Sequence, residues 1–167
     1  MSAITIRPET EADRDAVHAL LTAAFDGDGE AGLVAALHAA GDAVLALVAE
    51  ADDGAICGHV LFSRLTVESD GDSFPAVALA PLAVLPDRQR QGIGAQLVEE
   101  AHRRLRAAGE TLSIVLGEPA YYGRFGYTHE DAAAFDSDYQ CAALQVALWG
   151  ETPTTGRLVY APAFGGL

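Results

Sequence analysis

Apolar residues recur along the chain at two spacings, every second residue in some segments and every third or fourth in others. The first spacing is typical of half-buried strands, and the second of helices with one buried face. The first half of the chain therefore predicts a strand at 4–6, helices at 17–24 and 30–41, and strands at 43–50, 56–67 and 76–85. Turn residues separate these elements, as at Asp26–Gly29 and Asp52–Gly54.

The second half of the chain continues this alternation. It predicts a helix that begins at Gly92 and Gly94, a buried strand at 111–116, a short helical segment at 119–125, and strands at 142–149 and 157–160. The run at 76–85 has no polar side, which is typical of a strand buried on both faces. We expect one domain over residues 1–167 of the α/β class (α+β type), with a mixed, mainly antiparallel central sheet flanked by helices.

Composition narrows the class of protein. Half of the 167 residues are hydrophobic, which suits a globular domain. The chain has no apolar run long enough for a membrane helix and no secretory leader, so we expect a cytoplasmic protein. Cys57 and Cys141 are far apart, which excludes a disulfide framework and a cysteine zinc site. The histidines lack ligand spacing, so we expect no metal.

The charge balance is strongly acidic. The chain has 24 acidic and 10 basic residues, all of the latter arginine, and a net charge of −14. The lack of lysine excludes Schiff-base chemistry and a phosphate-loop lysine, and the lack of a basic face argues against nucleic-acid binding. Such acidity favours solubility, and it also attracts a cationic substrate.

One turn carries basic and glycine residues against this acidic background. A buried strand leads into Asp87–Ala95, where Gly92 and Gly94 open the next helix. Backbone N–H groups at a helix start have no intrahelical partner and, with the helix dipole, form an anion site that glycine leaves accessible. Arg88 and Arg90 lie beside it, which points to an anionic ligand. The alternative is that the glycines only ease the helix start and the arginines are solvated.

A dinucleotide-binding fingerprint is the other nucleotide motif to consider here. That fingerprint needs a third glycine at position 97, where this chain has Leu97. It also needs a parallel strand–helix–strand unit, whereas antiparallel hairpins are predicted before this turn. Both departures argue against a Rossmann domain.

Two motifs resemble those of the GNAT superfamily of N-acetyltransferases. Gln89-x-x-Gly92-x-Gly94 is similar to the acetyl-CoA signature of the superfamily. Tyr121–Tyr127 is similar to its closing motif, in which a tyrosine precedes Gly-Phe or Gly-Tyr by four residues. Four further segments resemble the YhbS-like branch of the superfamily: Gly58–Ser63, Pro81–Val84, Leu116–Gly126 and Val159–Phe164. The resemblance thus covers nearly the whole chain.

The resemblance implies a sheet with a V-shaped splay next to the strand that precedes the glycine turn. It implies that this strand and the turn bind the pantetheine arm and the pyrophosphate of acetyl-CoA, through Leu82, Ala83, Val84, Gln89, Arg90, Gln91, Gly92, Ile93, Gly94 and Ala95. It also implies that Tyr122, four residues before Gly126, is the general acid that protonates the departing thiolate. The alternative is that Tyr121 and Tyr122 are ordinary core aromatics of a short helix.

The sequence says less about the general base and the residues that bind the acceptor amine. Many relatives use a glutamate on the strand before the glycine turn, but strand 76–85 contains no acid. Glu30, His59 and Glu118 are the candidates for a general base or for acceptor-binding residues, with a satisfied core histidine as the alternative for His59. An amine that arrives neutral, or that loses its proton to water, needs no dedicated base.

The resemblance implies an acetyl-CoA-dependent N-acetyltransferase in which an amine attacks the thioester directly. An acyl-CoA-binding sensor or structural protein with the same fold and little turnover is the alternative, and the sequence leaves a longer acyl-CoA open as donor. We expect the acceptor to be a small-molecule or peptide amine, and the acidic balance favours a cationic one. We expect no nucleic-acid or membrane partner, and a monomer or homodimer.

Overall fold

The computed structural model describes residues 3–166. Its strands are β1 (Ile4–Pro8), β2 (Ala43–Ala51), β3 (Ile56–Ser69), β4 (Asp72–Val84), β5 (Leu112–Leu116), β6 (Phe135–Asp136), β7 (Leu144–Leu148) and β8 (Gly156–Val159). Its α-helices are α1 (Arg14–Phe25), α2 (Gly29–Ala40), α3 (Ile93–Ala107), α4 (Pro119–Tyr122) and α5 (His129–Ala132). Short 3₁₀ segments lie at Glu11–Asp13, Pro86–Arg88, Gly123–Phe125 and Pro162–Gly166.

The strands form one mixed sheet. Its main path runs β1-β2-β3-β4-β5-β7, while β8 pairs with the far end of β3 and β6 pairs with β8. Along the main path every pair is antiparallel except β4–β5, which is parallel. This arrangement confirms the mixed, mainly antiparallel sheet that the sequence predicts.

The parallel pair β4–β5 is short, and the two strands separate beyond it. They pair only at Val77–Leu79 against Ser113–Val115, after which β4 continues to Val84 without β5 beside it. A bulge places Ala80 and Pro81 of β4 opposite a single residue of β3 at the point of separation. This opening confirms the V-shaped splay that the resemblance implies.

Helices cover both faces of the sheet. On one face, α3 packs through residues such as Leu97 and Ala101 against strands β2 to β4. On the other face, α1 and α2 pack through residues such as Leu21 and Leu37 around Leu61 of β3. A further cluster joins α5, β6 and β8 to the ends of β3, β5 and β7. The two helical layers hold the glycine turn on one side of the splay and the α1–α2 junction on the other.

The predicted helices and strands agree with the structure to within a few residues, with two exceptions in the tail. Helix α5 and strand β6 are not predicted, because segments of four and two residues are too short to show a period. Pro8, which is predicted to follow the first strand, is its last residue and pairs with Leu47. Strand β1 is at the edge of the sheet, where proline is tolerated.

Gly58 on β3 lets the start of α3 lie close to the sheet. A Cβ at Gly58 would be 3.0 Å from Leu97 Cδ1, 3.1 Å from Ile93 Cγ2 and 3.2 Å from Ala49 Cβ. Ile93 is the first residue of α3, so the small size of Gly58 also determines where the glycine turn lies.

We predict that Gly58→Ala lowers the free energy of unfolding by about 1–3 kcal/mol, because the added methyl group overpacks this contact. Gly32→Ala is the control: Gly32 is exposed on α2 with no atom within 4 Å of an added Cβ. This second change should raise the free energy of unfolding by about 0.4–1 kcal/mol, since alanine favours the helix and restricts the unfolded chain. Urea unfolding measures both, and a Gly58→Ala protein as stable as the parent would contradict the close contact.

Candidate active site

The end of β4 presents unpaired backbone groups to the splay. Leu85 N–H donates to Cys57 O across the β3–β4 pair at 2.9 Å. Because hydrogen-bonded pairs alternate along antiparallel strands, the N–H and C=O groups of Leu82 and Val84 point away from β3 and into the opening. Ala83 points its backbone groups toward β3, and its side chain is buried against α1 and α2. Of these three predicted residues, two therefore offer their main chain to a ligand.

The glycine turn leaves N–H groups free at the start of α3. Gly92 caps the helix with φ of 82°, a left-handed conformation that suits glycine. The first backbone bond of the helix runs from Gln96 N–H to Gly92 O at 3.1 Å. The N–H groups of residues 93–95 precede that bond and so lack an intrahelical acceptor. The Gln89 side-chain amide donates to Val84 O at 3.1 Å and ties the turn to the end of β4.

These groups meet in a cleft of about 450 Å³, which we name the turn cleft. Its lining residues are Leu82, Val84, Arg88, Gln89, Arg90, Gly92, Ile93, Gly94, Ala95, Tyr121 and Arg124. The structure thus brings together eight of the ten residues that the sequence assigns to the cofactor. Ala83 and Gln91 do not line the cleft: the first is buried in the core, and the second is exposed on the turn.

Three residues of the turn cleft, Arg88, Tyr121 and Arg124, are not among those ten residues, although the sequence analysis places Arg88 beside the anion site. The Arg124 guanidinium lies 5.3 Å from the ring centroids of both Tyr121 and Phe125. Tyr121 Oη lies 2.6 Å from where a Cβ at Gly94 would be. With Arg88 and Arg90, Arg124 makes this cleft a concentration of positive charge on an acidic protein, which suits an anion.

A second cavity, which we name the splay cavity, lies where β4 and β5 separate. It has a volume of about 320 Å³ and is lined by Phe25, Glu30, Leu33, Ala78, Leu79, Ala80, Pro81, Leu82, Ile114, Val115, Leu116, Tyr122, Tyr139, Leu144, Tyr160 and Phe164. Leu82 lines both the turn cleft and the splay cavity, so the two adjoin at the open edge of β4.

Tyr122 lies at the splay cavity with its ring against the backbone of Gly117. A Cβ at Gly117 would be 2.5 Å from Tyr122 Cε2, so the ring requires glycine there. The rings of Tyr121 and Tyr127 pack edge-on against Tyr122 with centroids 5.0 Å and 6.0 Å away. Burial raises the pKa of Tyr122 to about 12, with a further contribution from Tyr121. Tyr122 therefore keeps its proton at neutral pH, as a proton donor must.

Of the three residues predicted for the acceptor side, Glu30 lines the splay cavity, and His59 and Glu118 do not. His59 is fully buried, and its Nε2 lies 2.7 Å from Glu9 Oε1. Burial favours the protonated form of Glu9, but the hydrogen bond with His59 and the electrostatic interactions with His59, His38 and Arg14 together outweigh it, so the pKa of Glu9 is lowered. Glu118 is exposed and caps α4, where its Oε1 accepts from Ala120 N–H at 3.3 Å.

Residues 3–166 contain neither a candidate metal centre nor a membrane-spanning helix. No group of three or more histidine, cysteine, aspartate or glutamate side chains in this part of the chain is placed to hold a metal ion. No helix within the same residues is long and apolar enough to cross a bilayer.

Comparison with known proteins assigns this fold and site to a class. Residues 5–129 match the family model for the acetyltransferase (GNAT) domain. The chain is 40% identical over 122 residues to the uncharacterized N-acetyltransferase YhbS of Escherichia coli K12, which covers 73% of this chain and 72% of that one. It is 37% identical over 119 residues to YjhQ of the same organism, over 70% of this chain and 65% of that one. The chain therefore belongs to the GNAT family of N-acetyltransferases.

Two solved structures resemble this one over nearly its whole length. The crystal structure of Escherichia coli YhbS in complex with CoA has a TM-score of 0.91 at 33% identity and covers 99% of this chain and 93% of that chain. A GNAT family acetyltransferase from Brucella melitensis in complex with acetyl-CoA has a TM-score of 0.82, also at 33% identity, over 97% and 98% of the two chains. The resemblance seen in the sequence motifs is thereby confirmed.

We predict that Gly117→Ala displaces the Tyr122 ring from the splay cavity, because the new methyl group would overlap it. Gly123→Ala is the control, since Gly123 has helical φ of −55° and no atom within 4 Å of an added Cβ. The ring chemical shifts of Tyr122 measure the displacement. Shifts in Gly117→Ala that match those of the parent and of Gly123→Ala would contradict the packing.

Proposed function

We propose that this protein transfers an acetyl group from acetyl-CoA to an amine. The observation that carries the proposal is that the turn cleft and the splay cavity adjoin at Leu82. An anion site lies at one end of the open β4 edge, and Tyr122 lies at the other. Acetyl-CoA has the same order of groups: a pyrophosphate, an arm with two amides, and a thioester.

The residues of the turn cleft fit the pyrophosphate. The free N–H groups at the start of α3 donate to phosphate oxygens, and Arg88, Arg90 and Arg124 balance the charge. Because Gly92 and Gly94 have no side chains, the pyrophosphate can come close to the backbone of the turn. The CoA and acetyl-CoA complexes of the two similar structures support this use of the fold.

The open edge of β4 fits the amide-containing arm. Leu82 offers both of its backbone groups to the opening, and Val84 offers its N–H, since Val84 O already accepts from Gln89. Unpaired backbone groups of this kind need partners, and ligand amides supply them as an added strand would. The thioester end of the arm then reaches the splay cavity and Tyr122.

Tyr122 supplies the proton for the leaving group. The neutral amine nitrogen bonds to the thioester carbonyl carbon, the carbon–sulfur bond breaks, and the Tyr122 hydroxyl donates its proton to sulfur. The proton that the amine nitrogen loses on becoming an amide passes through water and restores the Tyr122 hydroxyl. The Tyr122 hydroxyl is protonated at neutral pH, so its proton is available when charge develops on sulfur. Glu30 is the carboxylate that lines the splay cavity, and in this proposal it binds the incoming amine.

Residues as far apart in the sequence as Phe25 and Phe164 line the splay cavity, which supports a protein that works as one domain over residues 1–167. We propose that it is a monomer or homodimer. The composition supports a cytoplasmic location.

We predict that Gly94→Trp weakens CoA binding by more than about tenfold, because the indole displaces charge-assisted hydrogen bonds to the pyrophosphate. Gln96→Trp, on an exposed position of α3 outside the turn cleft, is the control for adding an indole. Calorimetry with CoA measures the affinity, and circular dichroism checks the fold. A folded Gly94→Trp protein that binds CoA as tightly as the parent would place the donor elsewhere.

We predict that Tyr122→Phe lowers kcat by about 100-fold, the lower end of general-acid effects, because a thiolate is already a fairly good leaving group. The KM for acetyl-CoA should change little, since the phenol acts in the transition state. Tyr121→Phe should show the reverse pattern, with kcat retained and the donor KM raised, because its hydroxyl lies at Gly94. If Tyr122→Phe turns over as fast as the parent protein while the chemical step limits the rate, Tyr122 is not the general acid.

A further inference from the structure

Part of the splay cavity is lined by aromatic side chains from distant parts of the chain. Phe25 comes from the end of α1, whereas Tyr139, Tyr160 and Phe164 come from the tail. Tyr160 packs edge-on against Tyr139 with centroids 4.9 Å apart, and its ring lies 5.9 Å from that of Phe164. Phe25 and Tyr139 are 40% and 37% exposed, which places them at the mouth of the cavity.

The cavity offers few polar groups to a ligand. Tyr160 Oη lies 2.9 Å from Ser137 Oγ, and Tyr139 Oη donates to Phe164 O at 3.5 Å, so both hydroxyls have partners within the protein. Among the described residues that line the cavity, Glu30 is the one whose side chain carries a charge at neutral pH. The surface that remains is aromatic and aliphatic, with the Tyr122 hydroxyl and a single carboxylate.

We propose that the acceptor is a small monoamine with an apolar, preferably aromatic, body. This proposal rests on the proposed function. Glu30 pairs with the ammonium group, and the aromatic rings enclose the body and attract the cation. A cavity of about 320 Å³ is of small-molecule size, whereas a sugar or a polyamine would bury hydroxyl or ammonium groups there without partners.

A longer acyl chain on the donor is the competing occupant of the same apolar space. Alkyl carbons would fit the aliphatic walls, but they would leave the Glu30 carboxylate beside an apolar chain, where it loses water and gains no partner. An amine with an aromatic body pairs its charge with the carboxylate and packs its apolar part against the rings. The charge of Glu30 therefore favours the amine acceptor, rather than a longer acyl chain of the donor, as the occupant of the splay cavity.

The test compares two amines on the parent protein saturated with CoA. Ethanolamine and 2-phenylethylamine share an aminoethyl group and differ in carrying a hydroxyl or a phenyl ring. Calorimetry should show at least about tenfold tighter binding of 2-phenylethylamine, since burial of the ring stabilises the complex. Glu30→Gln should weaken that binding by about tenfold, whereas Asp28→Asn, the same charge change on the exposed α1–α2 turn, should weaken it far less.

Turnover with acetyl-CoA separates this proposal from the proposed function. Tight binding of 2-phenylethylamine with no acetyl transfer would support the acceptor class and contradict the transferase activity. Transfer to spermidine or glucosamine in preference to 2-phenylethylamine would overturn the acceptor class while supporting the activity. Preference for octanoyl-CoA over acetyl-CoA, with no binding of 2-phenylethylamine, would also overturn it and assign the cavity to the donor.

Discussion

Strand β4 continues for several residues after its pairing with β5 has ended, and the site is built around this unpaired edge. Backbone N–H and C=O groups in such a position need partners from outside the sheet. The bulge at Ala80 and Pro81 turns β4 away from β5 at that point, and Pro81 removes one donor from the open stretch. The glycine turn follows directly from β4, and Tyr122 follows from β5. Separation of the two strands therefore places the anion site and the tyrosine around one opening.

Charge divides the opening into two regions. The turn cleft holds three arginines on a chain with a net charge of −14, while the splay cavity holds one carboxylate, Glu30. Tyr122 lies in the splay cavity and is neutral at physiological pH, and burial raises its pKa further, to about 12. The proposed function therefore assigns an anionic donor and a cationic acceptor to different ends of the site, on either side of the Tyr122 hydroxyl.

The sequence predicts the parts of this site that depend on local order. Periodicity predicts β4 and α3, the glycines mark the helix start as a candidate anion site, and the resemblance to the GNAT closing motif selects Tyr122. It does not find Arg124, which reaches the turn cleft only because the segment after β5 folds back over Gly94. The register of β4 also decides that Ala83, unlike its two neighbours, faces away from the opening, and no pattern of residue types records that register.

The role of the His59 side chain likewise cannot be predicted from the sequence pattern. Its position on a buried strand is compatible with a catalytic or a structural role. The contact that decides between these roles comes from Glu9, fifty residues earlier in the chain. Glu9 Oε1 lies 2.7 Å from His59 Nε2 on the α1–α2 side of the sheet. Arg14 contacts the same carboxylate at 2.7 Å, so this group ties the first turn of α1 to β3. Such pairings between distant segments arise from tertiary packing, and hydrophobic periodicity does not encode them.

Amide hydrogen exchange along β4, measured by NMR with and without CoA, tests most directly whether the unpaired edge is the ligand site. The N–H groups of Leu82 and Val84 should exchange rapidly in the free protein and at least about tenfold more slowly with CoA, because ligand amides then engage them. The N–H groups of Ala83 and Leu85 point to β3 and should be protected in both states. CoA that binds without slowing exchange at Leu82 and Val84 would contradict the account.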